Sequence, residues 1–167
     1  MPTHSHRPRA AFTERQLRDA LGEFATGVTI IAARMPDGSF AGFTANSFNS
    51  VSLDPPLVVW SLNRRASPLA AFEQADCYGI SVLTRAQQGL AERFADPLPD
   101  RFAGVPFRVG PGGAPLIEGC SAWFECRHHS VTPAGDHMLF VGEVQALGHA
   151  HATAPMLTFH RGRFGST

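Results

Sequence analysis

The sequence predicts a mainly β fold, an antiparallel sheet closed as a small barrel with short helices at its periphery. Six or seven segments have the β-branched and aromatic content of strands, and Pro, Gly, Asn and Asp separate most of them. One segment, LVVWSL at 57–62, is apolar on both faces, which is typical of a closed or covered sheet. A doubly wound parallel sheet would need regular β–α alternation and a GxGxxG turn opening a helix, and the chain has neither.

The first element is a helix predicted over residues 13–25, TERQLRDALGEFA. Thr13 and Gln16 match a capping box, in which each side chain bonds the backbone of the other residue. Helical spacing places four apolar residues on one stripe. These are Leu17, Ala20, Leu21 and Phe24.

A hairpin follows the helix. Its first strand is TGVTIIAAR (26–34), MPDGSF supplies a Pro-Asp-Gly turn, and the second strand runs into GFTANSFNSVS at 42–52. Asp54, Pro55 and Pro56 end this pattern, and LVVWSL forms the third strand.

The middle of the chain returns to short helices. Ser67 is predicted as the N-cap and Pro68 as the first residue of a helix at 68–75. CYGISVL at 77–83 predicts a strand. Thr84 and Gln87 form a second capping box that opens a helix to about residue 94, and residues 96–115 are expected to be irregular.

Long antiparallel strands are predicted for the last third. CSAWFECRHHSV and HMLFVGEVQAL are joined by the turn PAGD, and MLTFHRGRFG ends the chain as a short strand or hook. We therefore expect a flexible N-terminus at 1–11 and a single domain at 12–165, a size that one core can support.

Composition excludes several function classes. The formal net charge is zero, so the basic surface that nucleic acid requires is missing. No apolar run approaches the roughly 20 residues of a membrane span. The first ten residues lack the apolar stretch of a signal peptide, so a cytoplasmic location is expected.

The cysteines and histidines do not predict a metal site. Cys77, Cys120 and Cys126 are an odd number without a CxxC pair, which argues against a disulfide framework or a zinc finger. On one strand, Cys120 and Cys126 would lie roughly 20 Å apart. His128 and His129 are adjacent, so on a strand they point to opposite faces. The cysteines are interpreted as small buried apolar residues.

Catalytic machinery for hydrolysis is also missing. The chain has no GxSxG elbow, and Glu118, Glu125 and Glu143 stand without paired carboxylates. Chemistry carried by a cofactor would explain this, because the protein then supplies binding, orientation and electrostatics.

Three features favour a flat, phosphorylated, hydrogen-bonding ligand. The stretch at 42–52 is rich in hydroxyl and amide groups between two apolar strands. Ser67 opens a helix whose free N–H groups favour an anion, with Arg64 and Arg65 just before it. Phe43, Phe48 and Trp60 are available as apolar walls. The same residues also suit a polar strand edge, an ordinary cap and solvated arginines, and composition leaves both interpretations open.

Longer motifs resemble the flavin reductase-like family, the small reductase components of two-component flavin-dependent monooxygenases. They are GVTII, GFTANSF followed by SVSLDPPLV, RFAGVPF, GGAPLIEG, GDHMLFVGEV and FHRG. The match runs from about residue 12 to residue 164, in the family's order. It implies a homodimeric, antiparallel, Greek-key-like split β-barrel that binds FMN or FAD.

The resemblance also implies site residues. One set lines the isoalloxazine and ribityl chain, and a second set, with Arg64 or Arg65 nearby, holds the flavin phosphate. Arg93 and Phe94 fall in a further flavin-contact region, His137 of the GDH motif near the nicotinamide, and residues 159–162 at a C-terminal contact that includes Phe159 and Arg161. The first set is Thr44, Ala45, Asn46, Ser47, Phe48, Ser50 and Val51, and the second is Ser61, Asn63 and Ser67.

The implied activity is hydride transfer from NADH or NADPH to FAD or FMN. No dedicated acid or base is required for this transfer, and the reduced flavin would then dissociate to a separate monooxygenase. Two alternatives remain: a non-catalytic flavin carrier or sensor, and a related barrel oxidase acting on a phosphorylated B6 vitamer. The sequence does not distinguish FAD from FMN or NADH from NADPH, does not identify the monooxygenase, and leaves His137 either catalytic or structural.

Overall fold

A seven-stranded antiparallel sheet dominates the fold. The structure is a computed structural model that describes residues 11–150 and 154–167. Apart from residue 11, the expected flexible N-terminus therefore lies outside the described residues. The helices are α1 (Glu14–Gly22), α2 (Leu69–Gln74) and α3 (Gln88–Ala95), with a 3₁₀ turn at Arg85–Gln87. The strands are β1 (Thr26–Gly27), β2 (Thr29–Arg34), β3 (Phe40–Ala45), β4 (Asn49–Leu53), β5 (Pro56–Asn63), β6 (Cys77–Val82), β7 (Phe107–Val109), β8 (Pro115–Ile117), β9 (Ala122–Ala134), β10 (His137–His149), β11 (Leu157–His160) and β12 (Arg163–Ser166).

The order of strands in the main sheet is β3-β2-β6-β9-β10-β5-β4. Two smaller sheets, β1-β11-β12 and β7-β8, pack beside it. The predicted mainly β, antiparallel class is confirmed. The edge strands β3 and β4 are not hydrogen-bonded to each other, and residues 46–48 connect them, so the sheet curves without closing its hydrogen-bond ladder.

The predicted hairpins are confirmed. β2 pairs with β3, with Thr29 opposite Ala45, and β9 pairs with β10 along their whole length around the turn at Gly135. The Pro-Asp-Gly turn closes because the Asp37 carboxylate accepts from the backbone N–H and the hydroxyl of Ser39. The C-terminal segment is a β11–β12 hairpin.

Helix α1 begins as predicted but buries nothing. Thr13 and Gln16 form the capping box at 2.8 and 3.2 Å. The apolar stripe lies in solvent, with Leu21 64% and Phe24 72% exposed. The helix is held at its end, where Glu23 and Arg161 form a salt bridge.

Three local predictions are wrong. Helix α2 starts at Leu69 with Pro68 as its N-cap residue, and Ser67 makes no capping bond. Part of the expected irregular segment at 96–115 forms the β7–β8 hairpin. The third strand, β5, is not buried on both sides, because burial alternates along it from Val58 to Asn63.

Two apolar clusters fill the two faces of the sheet. The first is centred on Trp60, whose ring stacks on Phe140 at 4.1 Å between centroids. The second lies under α3 and the β7–β8 hairpin, where Phe94 is fully buried and meets Phe102 edge-on at 5.0 Å. The capping box of Thr84 and Gln87 is confirmed and orients α3 over this second cluster.

A buried carboxylate organises the loop between β7 and β8. Glu125 is 2% exposed, and its oxygens accept from the backbone N–H groups of Gly112 and of Ala114. A Cβ at Gly110 or Gly112 would overlap these oxygens. The glycine-rich GPGGAP segment is thus shaped around one side chain.

The three cysteines are free thiols. Cys126 is buried, whereas Cys77 and Cys120 are only partly buried. Burial raises the pKa of all three, that of Cys126 to about 12, so none is an activated nucleophile. Within residues 11–150 and 154–167, no three His, Cys, Asp or Glu side chains are placed to share a metal ion.

The adjacent histidines point to opposite faces, as predicted. His128 packs on Tyr78 and Phe140, with ring centroids 5.2 and 5.8 Å away, whereas His129 is exposed. Among the described residues, no helix combines the length and apolar character that a membrane crossing requires.

Candidate functional site

The predicted ligand residues of β5 point away from the core. Val58, Trp60 and Leu62 are buried, and the residues between them are half-exposed. Because successive residues of a strand project to opposite faces, Ser61 and Asn63 lie together on the outer face. We call this surface, formed by the outward residues of β5 and β10, the outer face.

His137 joins Ser61 and Asn63 on the outer face. In the β5–β10 pairing, His137 is opposite Asn63, and Leu139 is opposite Ser61. Directly opposed residues of antiparallel strands project to the same side. The hydroxyl of Ser61, the amide of Asn63 and the imidazole of His137 therefore share one face where β5 ends and β10 begins.

Asp136 orients the His137 ring. Nδ1 of His137 lies 2.8 Å from Oδ1 of Asp136. The hydrogen bond from His137 lowers the pKa of Asp136, and the charge of Arg18 acts in the same direction. An ionised carboxylate only accepts, so Nδ1 carries the proton and Nε2 is left to face a ligand.

Ser47 attaches the loop at 46–48 to the outer face. Its Oγ accepts from the backbone N–H of Ser61 at 3.0 Å and lies 3.2 Å from the Ser61 carbonyl oxygen, to which it donates. The β4–β5 ladder begins only at Asn49 and Val59. The Ser47 hydroxyl therefore replaces the next backbone pair of the ladder.

The other polar residues of this stretch differ in role. Thr44 donates to the carbonyl of Ala91 at 2.6 Å, which anchors β3 to α3. Ala45 is buried, and its carbonyl accepts from Thr29 at 2.8 Å. Asn46 is exposed, and its amide has no hydrogen-bond partner within the described part of the chain. Asn46 is therefore free to meet a ligand.

The residues after Asn46 complete this edge. Phe48 packs on the first cluster, with its ring 5.5 Å from that of Phe124. The backbone N–H of Ser50 is bonded to the side chain of Asn49. Val51 is 53% exposed on β4.

An open cleft of about 390 Å³ adjoins the outer face. Asn63, Arg64, Arg65, Gly135 and Asp136 line it. The turn is fixed by the backbone, since Arg65 N–H donates to Asn63 Oδ1 at 2.8 Å and Arg64 N–H to the Asp136 carbonyl at 2.9 Å. Arg64 and Arg65 are exposed, and among the described residues neither side chain has a hydrogen-bond or ion-pair partner, so both are available to a phosphate.

Ser67 does not line this cleft. It lines a separate cavity of about 180 Å³, together with Arg101. Arg93, predicted to contact flavin, binds backbone carbonyls of the loop at 96–103 instead, at 2.7 to 3.2 Å. Phe94 is fully buried in the second cluster.

The C-terminal residues form a third group. Phe159 is opposite Thr26, and its ring lies 5.4 Å from that of Phe164. Arg161 has a left-handed φ of 50° and donates twice to the Glu23 carboxylate, at 2.9 and 2.6 Å. These hydrogen bonds lower the pKa of Glu23. The cofactor contacts predicted for Arg93, Phe159 and Arg161 stay predictions.

Two residues were missed by sequence reasoning. Asp136 sits beside His137, and the adjacency in the GDH motif was the available signal. Arg101 lies in a segment treated as irregular, ADPLPDRFAGV, and its guanidinium reaches the Gly42 carbonyl on β3. No spacing rule connects residues 59 positions apart.

The chain is similar in sequence to several reductases. The stachydrine N-demethylase reductase subunit of Rhizobium meliloti is 46% identical to this chain over 135 residues. The aligned residues cover 81% of this chain and 59% of that protein. A probable flavin reductase of the same organism is 44% identical over 135 residues, covering 81% of this chain and 43% of that protein. The chain thus spans about half the length of these two relatives. A flavin reductase of Pseudomonas putida is 38% identical over 157 residues, covering 94% of this chain and 92% of that protein.

A solved structure has a similar fold. An NADH:FAD oxidoreductase of Streptomyces globisporus, in complex with NAD and FAD fragments, matches with a TM-score of 0.85 at 38% identity. The match covers 91% of this chain and 92% of that one. The sequence profile of the family described as Flavin reductase like domain matches residues 21–167. The chain belongs to this flavin reductase family.

Proposed function

We propose that this protein is an NAD(P)H:flavin oxidoreductase. It passes a hydride from NADH or NADPH to FAD or FMN and supplies the reduced flavin to a separate flavin-dependent monooxygenase. One observation carries the proposal. In a chain of this family, Ser61, Asn63 and His137 lie on one face of the sheet, beside the polar loop at 46–48.

The outer face fits a flat ring with polar edges. Leu57 and Val59 are apolar neighbours of Ser61 and Asn63 on the same side of β5. When bound, flavin supplies the redox chemistry by accepting a hydride from the nicotinamide. Asn46 and Ser61 would hold the polar edge of the ring, because amide and hydroxyl groups both donate and accept hydrogen bonds. Nε2 of His137 would face the nicotinamide, and Arg64 or Arg65 a phosphate in the adjoining cleft.

Flavin behaves in this proposal as a substrate that leaves after reduction. The cleft lined by Arg64 and Arg65 is open to solvent, which supports exchange of the ligand. The name of one relative, a stachydrine N-demethylase reductase subunit, describes a reductase working with another protein. A partner monooxygenase in the cytoplasm, where reduced nicotinamide is available, follows from the same proposal.

We also propose a homodimer. Large apolar side chains are exposed on two strands: Leu139 is 37% exposed on the outer face, and Val51 and Leu53 on the edge strand β4 are 53% and 95% exposed. We take these side chains as the apolar part of an interface. A second copy would cover the outer face and close a pocket over Ser61 and His137.

The test is NADH oxidation by the purified protein with each of the four pairs of NADH or NADPH and FAD or FMN. We expect the absorbance of the reduced nicotinamide to fall with at least one pair. Flavin binding without oxidation in any pair would support a carrier or sensor and overturn the reductase. Asn46→Ala is expected to raise the KM for flavin, and an unchanged KM would show that the site lies elsewhere.

A further inference from the structure

Helix α1 and the turn after it carry an apolar stripe that the rest of the described chain leaves uncovered. Residues 11–21 are all exposed, and no residue of α1 is buried. Leu17, Leu21 and Phe24 follow one another at spacings of four and three residues, which places them on one side of the helix. Their side chains are 43%, 64% and 72% exposed. The stripe predicted from the sequence is therefore formed, and in the single chain it faces solvent.

A helix of this length is marginal without a packed face. α1 has nine residues, whereas isolated helices shorter than about 12–15 residues are only marginally stable in water. Most helices in proteins are stabilised by the packing of an apolar face. The capping box at Thr13 and Gln16 and the ion pair of Glu14 and Arg18 lie in water at the helix surface. The packing that stabilises α1 therefore has to come from another surface.

The orientation of α1 is fixed at its C-terminal end. The Gly22 carbonyl accepts from the backbone N–H of Arg161 at 3.0 Å, and the Glu23 carboxylate accepts from the Arg161 side chain at 2.9 and 2.6 Å. The chain then continues into β1, which pairs with β11. Among the described residues, α1 makes no other hydrogen bond or ion pair to a different element. These bonds hold α1 with its stripe directed away from its own sheet.

Helix α1 lies near the end of the outer face. The pKa of Asp136 is lowered first by its hydrogen bond with His137 and also by the positive charge of Arg18. Charges in solution act over about 10 Å, so Arg18 lies within electrostatic reach of the turn before β10. The outer face begins at this turn. A second copy that covers the outer face would therefore also come close to α1.

The area of the stripe favours a second copy as the occupant. Four large apolar side chains at α1 are between 43% and 72% exposed. Because a buried aromatic side chain contributes about 150–250 Å², the four together offer on the order of 400 Å². A stable interface buries about 800 Å² per partner, and a twofold dimer makes each contact twice. The four residues are Phe12, Leu17, Leu21 and Phe24.

We propose that the apolar stripe of Leu17, Leu21 and Phe24 packs against a second copy of this chain, so that the first helix of each copy stabilises the dimer. The inference rests on the proposed homodimer for its choice of occupant. It goes beyond that proposal by assigning α1 to the interface.

The first experiment measures dimer dissociation by sedimentation velocity in the wild type and in Leu21→Asp. Leu21 packs on nothing in its own chain, so the substitution leaves the two apolar clusters intact. We expect the dimer to weaken about a hundredfold or more, because a charge replaces a buried leucine at two places in a twofold dimer.

Two variants serve as controls for Leu21→Asp. Arg15→Gln changes the net charge by the same one unit, and helical spacing places residue 15 on the opposite side of α1, so its dimer should be unchanged. Leu21→Met conserves the apolar volume and should keep the dimer. If Leu21→Asp dissociates no more readily than Arg15→Gln, the stripe is not part of the interface and the inference is overturned.

Hydrogen exchange of the backbone amides at residues 17–22 tests the same contact in the wild type. We expect these amides to be protected at concentrations where the chain is a dimer, and to exchange nearly as fast as in an unstructured peptide after dilution to the monomer. Fast exchange in the dimer would overturn the inference and leave the stripe to a different partner, such as the monooxygenase.

The outcomes separate this inference from the proposals on which it depends. A monomeric wild type would contradict both the homodimer and the role of α1. A dimer that Leu21→Asp leaves intact would contradict only the role of α1. A protein that dimerises through α1 but oxidises no NADH would lose the proposed reductase function and keep this interface.

Discussion

At the scale of the residue, the Ser47 hydroxyl has a defined task. It bonds both backbone groups of Ser61, where the β4–β5 ladder has no further backbone pair. Ser47→Ala would remove this link and leave the Asn46 segment free to move away from the outer face. We expect the KM for flavin to rise about two- to tenfold, the equivalent of one hydrogen bond. Steady-state kinetics with variable flavin measures it.

The control is Ser130→Ala. Ser130 is also an exposed serine, on strand β9 opposite Val141, and its hydroxyl has no hydrogen bond assigned among the described residues. If Ser47→Ala and Ser130→Ala have equal KM values for flavin, the loop at 46–48 is not part of the flavin site. The sequence showed that this stretch was polar, but it could not show which hydroxyls serve the fold. Thr44 is one of these, bonded to the Ala91 carbonyl 47 residues away.

At the scale of the element, Glu125 fixes the β7–β8 loop. Its carboxylate accepts from backbone N–H groups of Gly112 and Ala114 in a buried position. Glu125→Gln would place an amide against one of these donors, and we expect a loss of about 1–3 kcal/mol in the free energy of unfolding. For a chain of this size, that is a fall in Tm of about 2–4 °C per kcal/mol. Thermal unfolding by circular dichroism measures it.

Glu118→Gln is the matched control, because Glu118 is exposed one residue beyond β8. Its Tm should stay within about 1 °C of the wild type, as expected for a surface substitution. If Glu125→Gln and Glu118→Gln have the same Tm, the buried carboxylate of Glu125 does not stabilise the β7–β8 loop. The Glu125 carboxylate bonds the β7–β8 loop and contacts none of the predicted flavin residues, so KM values at 25 °C should not change.

Elements whose signal was local were predictable from sequence. The two capping boxes, the Pro-Asp-Gly turn and the long strands β9 and β10 depend on neighbouring residues, and the structure has them all. The β7–β8 hairpin was missed because each strand has three residues, too few for a visible alternation, and because its loop geometry comes from Glu125. The N-cap predicted at Ser67 is wrong because Pro68, one residue later, occupies the N-cap position of α2.

At the scale of the whole molecule, the proposed homodimer would cover exposed apolar side chains on β4 and β10. Leu53 is 95% exposed at the end of edge strand β4, where it is opposite Pro56 at the start of β5. We predict a homodimer in sedimentation velocity at micromolar concentration. Leu53→Asp would put an unpaired charge into the interface and should weaken the dimer about a hundredfold or more.

Val109→Asp is the control for adding a charge to exposed apolar surface. Val109 is 51% exposed on β7, away from the outer face, so this variant should remain a dimer. If the second copy closes the pocket over Ser61 and His137, Leu53→Asp should also raise the KM for flavin, although Leu53 belongs to no predicted contact. A monomeric wild type would contradict the dimer. A dimer broken equally by both variants would place the interface elsewhere, and a Leu53→Asp monomer with unchanged KM would show that one chain completes the site alone.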